Sequence, residues 1–296
     1  MALPKETIAQ VTCTSTEQPR VRSVSKTNAR GLQDDFIGRE SELRRLSAAI
    51  HNRQSLLIWG PTDAGKTALV KKAIGELPEK RRQTCIYSSG AVSVRQLAEE
   101  LVRGLYAAGD PLVREKLREG GCRKQISAAR WFKDRSSGQL KAILYQAAQK
   151  SPYTFFLDHM PAATQSMARL MKEIIWRCKT PVYLLSRGCS HEEIGSAWSI
   201  YFAKEYHIHV GPVSDSSIRE LLERCIRRFG LADLDLGRFR EEILRLSRQL
   251  PGCVTKMCEL AAHPRYHYGD QIKVNLVHVD YLMRADPSGD KSPAQT

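Results

Sequence analysis

No run of 18 apolar residues occurs anywhere in this chain, and its first residues lack the apolar core of a secretory signal. Membrane spanning and secretion are therefore not expected. No two cysteines stand in a CxxC spacing. Cys253 and Cys258 are five apart on an expected helix, which does not make a metal knuckle. Most of the cysteines, among them Cys85, Cys178, Cys225 and Cys258, sit inside apolar runs and read as small core residues of a reduced, cytoplasmic protein. His207 and His209 alternate onto one strand face, and His263 and His267 straddle Pro264. Neither pair has acidic or cysteine partners at metal spacing, so packing and loop roles are expected. Aromatic residues make up 7% of the chain and are scattered, with no platform for single-stranded nucleic acid in view. There is no internal repeat and no coiled-coil heptad run. Acids are also short: 32 Asp and Glu face 46 Lys and Arg, a formal charge of +14. That balance suits a polyanionic partner such as nucleic acid, although a generally basic protein without one has the same composition.

What is present is enough chain, 296 residues, for one large domain or two smaller ones. Residues 1–30 are rich in Thr, Ser, Gln and Arg without periodicity and read as a flexible, basic tail. Residues 285–296 read as a second disordered tail. Leu43, Leu46 and Ile50 fall at helical spacing and predict a helix over Glu40–Asn52. Short apolar runs bounded by turn signals predict strands at 55–59, 84–89, 153–158, 181–186 and 206–211. Helical patterns fall between them, at 92–108, 138–150 and 164–178. Residues 109–134 look less regular and strongly charged. From Asp110 to Lys150 ten Lys and Arg face four Asp and Glu. Strand alternating with helix over 55–211 is the pattern of an α/β unit, a parallel sheet covered on both faces. After Pro212 the pattern turns helical, at 215–230, 237–250 and 253–263. The expected organisation is an α/β domain over 31–211 followed by a small all-helical unit over 212–284.

The stretch Gly60-Pro61-Thr62-Asp63-Ala64-Gly65-Lys66-Thr67 fits G-x-x-x-x-G-K-[ST] in full, between an expected strand and an expected helix. Each part has a chemical reason. Successive backbone N–H groups converge on phosphate oxygens at the positive end of the following helix. A side chain at Gly65 would obstruct that approach. Lys66 reaches β- and γ-phosphates, and the Thr67 hydroxyl is a ligand for Mg²⁺. A nucleoside triphosphate with Mg²⁺ is the expected ligand. The apolar strand "TFFLD" ends on Asp158, a second candidate for the metal side. His159 follows where a hydrolase of this kind has a glutamate to polarise water. An imidazole can accept a proton, yet it is shorter than glutamate, so slow or partner-dependent hydrolysis is expected. A packing role for His159 against the neighbouring strand is the alternative. Arg187 closes the next strand, in reach of a terminal phosphate.

These residues resemble the AAA+ superfamily of P-loop ATPases, and within it the short initiator-like, STAND-like and transposition-helper branches. The resemblance runs through "FIGRE" (36–40), "GPTDAGKT" (60–67), "FFLD" (155–158), "LLSR" (184–187) and a helical lid with "QLPG" (249–252). It implies an AAA+ core with a C-terminal helical lid, binding ATP or ADP with Mg²⁺. Phe36, Ile37 and Gly38 would border the adenine and Pro251 would close over it. Gly60 to Thr67 would hold the phosphates, Thr67 and Asp158 the metal. Lys66, Asp158, His159 and Arg187 would make up the catalytic set. Gln249 stands where the lid glycine is usual. No arginine matches the finger contributed by a neighbouring subunit, Lys204 being the nearest basic residue, and Lys256 is a candidate lid sensor. The resemblance further implies a nucleotide-dependent homo-oligomer that acts as an assembly or regulatory factor on duplex DNA through backbone contacts. The 12 residues after the lid hold no winged helix, so such contacts would come from the ATPase unit, the 110–150 segment or the tail. The alternative is a STAND-like switch acting on a protein partner without DNA.

Overall fold

The computed structural model describes residues 36–120 and 125–285. The tail expected at 1–30, the first residues of the expected α/β domain, and all but the first residue of the tail expected at 285–296 lie outside them. Five strands, β1 (Leu56–Trp59), β2 (Cys85–Ser89), β3 (Thr154–Met160), β4 (Val182–Ser186) and β5 (His207–His209), form one parallel sheet in the order β2-β3-β4-β1-β5. Every expected strand is present, with ends shifted by one or two residues.

The central strands β1, β3 and β4 are apolar along most of their length because both faces are covered, while the edge strands β2 and β5 also carry Ser88, Ser89, His207 and His209. Leu57, Ile86, Phe155, Leu157, Val182 and Leu184 point into one core, under the helices Val94–Ala107, Ser137–Lys150 and Gln165–Lys172. Leu56, Ile58, Phe156, Tyr183, Leu185 and Ile208 point into the other, under the helices Glu40–His51 and Lys66–Gly75. The alternation is the period of two expected of a strand. It breaks once, at a bulge between Leu157 and Met160, where the β3–β4 register shifts. Leu157 and Met160, three apart, thereby both face the first core.

The segment 109–134, expected to be irregular, is mostly helical: Pro111–Glu119 and Gln125–Asp134. The missed signal was Asp-Pro. The Asp110 carboxylate caps the helix by accepting from Val113 N at 2.9 Å, and Pro111 occupies the first turn, where its missing N–H is harmless. Asp110 is buried and also accepts from the Tyr153 hydroxyl at 2.8 Å, a long-range tie that propensity cannot show.

The C-terminal unit has its own core, built by the helices Asp215–Arg228, Gly237–Ser247, Pro251–Ala261 and Val274–Ala285. It is not purely helical as expected. A two-stranded hairpin, β6 (His267–Tyr268) and β7 (Gln271–Ile272), joins the last two helices. The two units meet at the "FIG" segment: Phe36 packs on the α/β core, Ile37 on the helical core, and Leu250 touches both.

Candidate nucleotide-binding site

The loop after β1 emerges at the C-terminal end of the sheet, between β4 and β5, where the crossovers diverge and ligands of open α/β sheets bind. Two glycines shape it. Gly60 has φ +141°, and a Cβ there would lie 2.2 Å from the Val210 carbonyl oxygen, so only glycine lets the loop leave β1 alongside β5. Gly65 has φ +93° and caps the helix Lys66–Gly75, and a Cβ there would meet nothing within 4 Å. Gly65 therefore borders open space at a helix N-terminus, as a phosphate cradle requires.

The Lys66 ammonium donates to the carbonyls of Gly60 at 2.7 Å and Pro61 at 2.8 Å, so it lies folded over the loop. Burial pushes its pKa below that of an ordinary lysine, against the opposing pull of Cys189, Asp158 and Asp63. An anion in the cradle would supply the charge that this burial leaves under-compensated. Thr67 donates its hydroxyl to Asp158 Oδ2 at 2.7 Å, so the two residues expected to serve Mg²⁺ are already adjacent. Asp158 is buried, its Oδ1 accepting from the His159 backbone N–H at 2.7 Å. A buried carboxylate facing a hydroxyl is an all-oxygen donor set that suits a hard cation, and Mg²⁺ takes few protein ligands with the rest water. When bound, the ion would supply charge neutralisation for the phosphates.

His159 is half-exposed rather than enclosed against the neighbouring strand, the alternative raised from the sequence. It occupies the β3 bulge with φ +53°, its side chain is 50% exposed, and Nε2 lies 3.6 Å from Asp158 Oδ2. The bulge explains both features: the extra residue is expelled from the ladder and re-aimed towards solvent beside the carboxylate. The Arg187 side chain is exposed at the end of β4, its backbone N–H bonded to the Met160 carbonyl at 3.2 Å. Lys204 starts a 3₁₀ turn ahead of β5, at the opposite end of the sheet from the loop.

Two residues that the sequence reading passed over, and a third that it counted among the phosphate-holding residues of the loop, complete the surroundings. Tyr87, on β2, donates its hydroxyl to Asp158 Oδ2. Burial first, and the Asp158 charge second, push this phenol far above its ordinary pKa and keep it a donor. Its signal was present in the register: Tyr87 pairs with Phe156 and so shares a face with Asp158. Arg39, within "FIGRE", is buried. Its guanidinium pairs with Glu42 at 2.9 Å and donates to the carbonyls of Ala64, at 3.0 Å, and Gly211. It thus ties the loop to the junction before the helical unit.

Asp63 is the third. It sits in the loop with φ +65°, and its carboxylate accepts from Lys256 at 2.8 Å and from the Tyr281 hydroxyl at 2.8 Å. The Gly252 N–H donates to the Asp63 carbonyl at 2.8 Å. Pro251 begins the helix Pro251–Ala261, one residue before the Gly252 that bonds to the loop. Lys256, a candidate lid sensor by resemblance, is engaged with the loop itself. His209 lies 4.5 Å from the Trp59 ring and His207 4.5 Å from the Trp198 ring, while the His267 ring is hydrogen-bonded to the Ala261 carbonyl at 2.7 Å. Among the described residues no group of three or more His, Cys, Asp or Glu is placed to hold a metal. No described helix is long and apolar enough to cross a membrane.

Residues 35–181 match the family of the AAA ATPase domain. No curated protein matches the chain. Among solved structures it is similar to the Walker-type ATPase of Pyrococcus abyssi, with 17% identity, a TM-score of 0.52, and coverage of 86% of this chain and 73% of that one. It is similar also to the Orc1 protein of Aeropyrum pernix in complex with DNA, with 14% identity, a TM-score of 0.55, and coverage of 85% and 66%. Cdc6p of Pyrobaculum aerophilum gives 14% identity, a TM-score of 0.50, and coverage of 82% and 64%. At these identities the likeness is one of fold.

Proposed function

We propose, from the match of residues 35–181 to the AAA ATPase domain family, that the chain binds ATP with Mg²⁺ and uses the bound nucleotide to set its assembly or its hold on a partner, with hydrolysis slow or partner-stimulated. The observation that carries this reading is Asp63. One residue of the phosphate loop is held at 2.8 Å by two side chains of the helical unit. A nucleotide that reshapes the loop must therefore act on the position of that unit. Lys66 and the Gly60–Thr67 loop take the phosphates, Thr67 and Asp158 the metal, and Arg187 the terminal phosphate. Phe36, Ile37, Gly38 and Pro251 surround the base. The half-exposed His159 beside Asp158 supports modest turnover, because no carboxylate follows Asp158 to draw a proton from water.

The partner we propose is duplex DNA, held by sequence-independent backbone contacts. The net charge of +14 supports this, as does the fold shared with a protein solved on DNA. Such binding weakens steeply with salt. Filter binding of duplex DNA across a salt series, with ADP and with a non-hydrolysable ATP analogue, is expected to show nucleotide-dependent retention at low salt. The absence of retention at low salt removes DNA from the reading. The second reading, a switch acting on a protein partner, is favoured by the same Asp63 contact. Gel filtration separates the two: it predicts nucleotide-dependent oligomers that form without DNA.

A further inference from the structure

A groove of about 460 Å³ opens at the N-terminal edge of β1, β4 and β5, the end of the sheet opposite the phosphate loop. Its walls come from three turns far apart in sequence: Arg53–Ser55 ahead of β1, Ile175–Pro181 ahead of β4, and Ile200–Tyr206 ahead of β5. Two of the largest exposed apolar side chains of the described residues line it, Trp176 at 55% exposure and Phe202 at 74%. A monomer gains nothing by exposing two such rings around one concavity, and patches of this kind mark interaction sites.

The backbone is bent to present them. The helix that starts at Gln165 ends in a π-turn, Glu173–Arg177, closed by the Cys178 N–H bonding to the Glu173 carbonyl at 3.2 Å. The wider turn rotates Ile175 and Trp176 relative to a regular helix, and π-turns concentrate at functional positions. Lys179 follows with φ +55°, and Arg53 across the groove has φ +54°, both left-handed without being glycine. The Arg53 guanidinium is set by donating to the carbonyls of Pro152 and Tyr153 at 3.2 Å each.

The charge has one sign. Arg53 and Lys179 line the groove, and no carboxylate does. Lys172 adds a third cation, its ammonium 5.6 Å from the centre of the Trp176 ring. We infer that this groove docks an acidic segment of a partner protein, with an aromatic or leucine anchor between Trp176 and Phe202 and flanking carboxylates facing Arg53 and Lys179. Aromatic walls with an arginine at the rim are the composition of interface anchor pockets. A single-stranded nucleic acid fits less well, because it needs a track of cations along its backbone rather than an aliphatic cup closed by Ile175, Ile200 and Pro181. The groove lies away from the phosphate loop, so docking here stands independently of the nucleotide reading.

The test is selection of a random-peptide phage library on the full chain, followed by fluorescence anisotropy of the selected peptides. Peptides bearing an aromatic or leucine flanked by Asp or Glu are expected. Their affinity should fall by roughly tenfold or more in Trp176→Ser, Phe202→Ser and Lys179→Glu, and stay unchanged in Lys66→Ala. All three groove side chains are exposed, so these variants should fold, and a thermal melt checks it. Exchanging the flanking acids for lysines should restore binding to Lys179→Glu. Selection that yields no peptide, peptides without acids, equal binding to wild type and Phe202→Ser, or a poly(dT) strand that outcompetes the peptides each overturns the proposal.

Discussion

The phosphate loop is held on two sides by contacts of opposite kinds. On the sheet side, Gly60 lies against the Val210 backbone so closely that a Cβ would come within 2.2 Å of its carbonyl oxygen. The Val210 N–H continues the β1–β5 ladder by donating to Trp59 at 2.8 Å. On the helical side, the loop is held through Asp63 by a lysine whose side chain is 51% exposed, by a tyrosine hydroxyl, and by one backbone N–H. The first grip is steric and cannot open without breaking the sheet. The second is polar, with its Lys256 end half-exposed and its Asp63 end 9% exposed, so it opens when a ligand or another donor replaces the lysine. A loop fixed to the sheet but releasable from the lid is the arrangement that lets a ligand move one unit relative to the other.

The largest effect is expected from breaking the first grip. Gly60→Ala combines a φ of +141° with the clash on Val210 and should destabilise by about 3 kcal/mol or more. In a thermal melt that is a fall of roughly 10 °C. An unchanged melting temperature would show that the sheet does not fix the loop. Next comes Lys66→Ala, which leaves both grips intact and removes the cation of the cradle. ATP affinity by calorimetry should drop about 100-fold, and normal affinity would remove the phosphate-cradle reading. His159→Glu restores a carboxylate beside Asp158, and steady-state phosphate release should rise roughly tenfold. A fall instead would make the histidine part of the working site. The smallest effect is expected from loosening the second grip. Lys256→Ala should cost about 1 kcal/mol of stability and speed hydrogen exchange across 251–285, and nucleotide should no longer alter that exchange as it is expected to in the wild type. Unaltered exchange would mean that Asp63 does not couple the units.

Much of this was legible because the signals are local. The central strands are short apolar runs, and covering a parallel sheet on both faces requires just that composition. The loop is a contiguous motif whose glycines and lysine stand at a fixed spacing. What was missed is non-local. Asp110 looked like one more charge in an irregular basic segment, and only its contact with Tyr153 shows why a helix starts at this buried carboxylate. Tyr87 reaches Asp158 from a strand 71 residues away in sequence. Trp176 and Phe202 looked scattered until three turns brought them to one groove.

The sequence by itself determined the α/β core, the place of the Gly60–Thr67 loop within it and the residue types of that loop, because hydrophobic period and turn chemistry are properties of neighbours along the chain. Tertiary structure alone decided that His159 is pushed out by a bulge to lie half-exposed, that Lys256 and Tyr281 close on Asp63, and that an apolar, cation-rimmed groove forms at the far end of the sheet. Those depend on register and on contacts across tens to hundreds of residues, whose free energy exists only once the chain has folded.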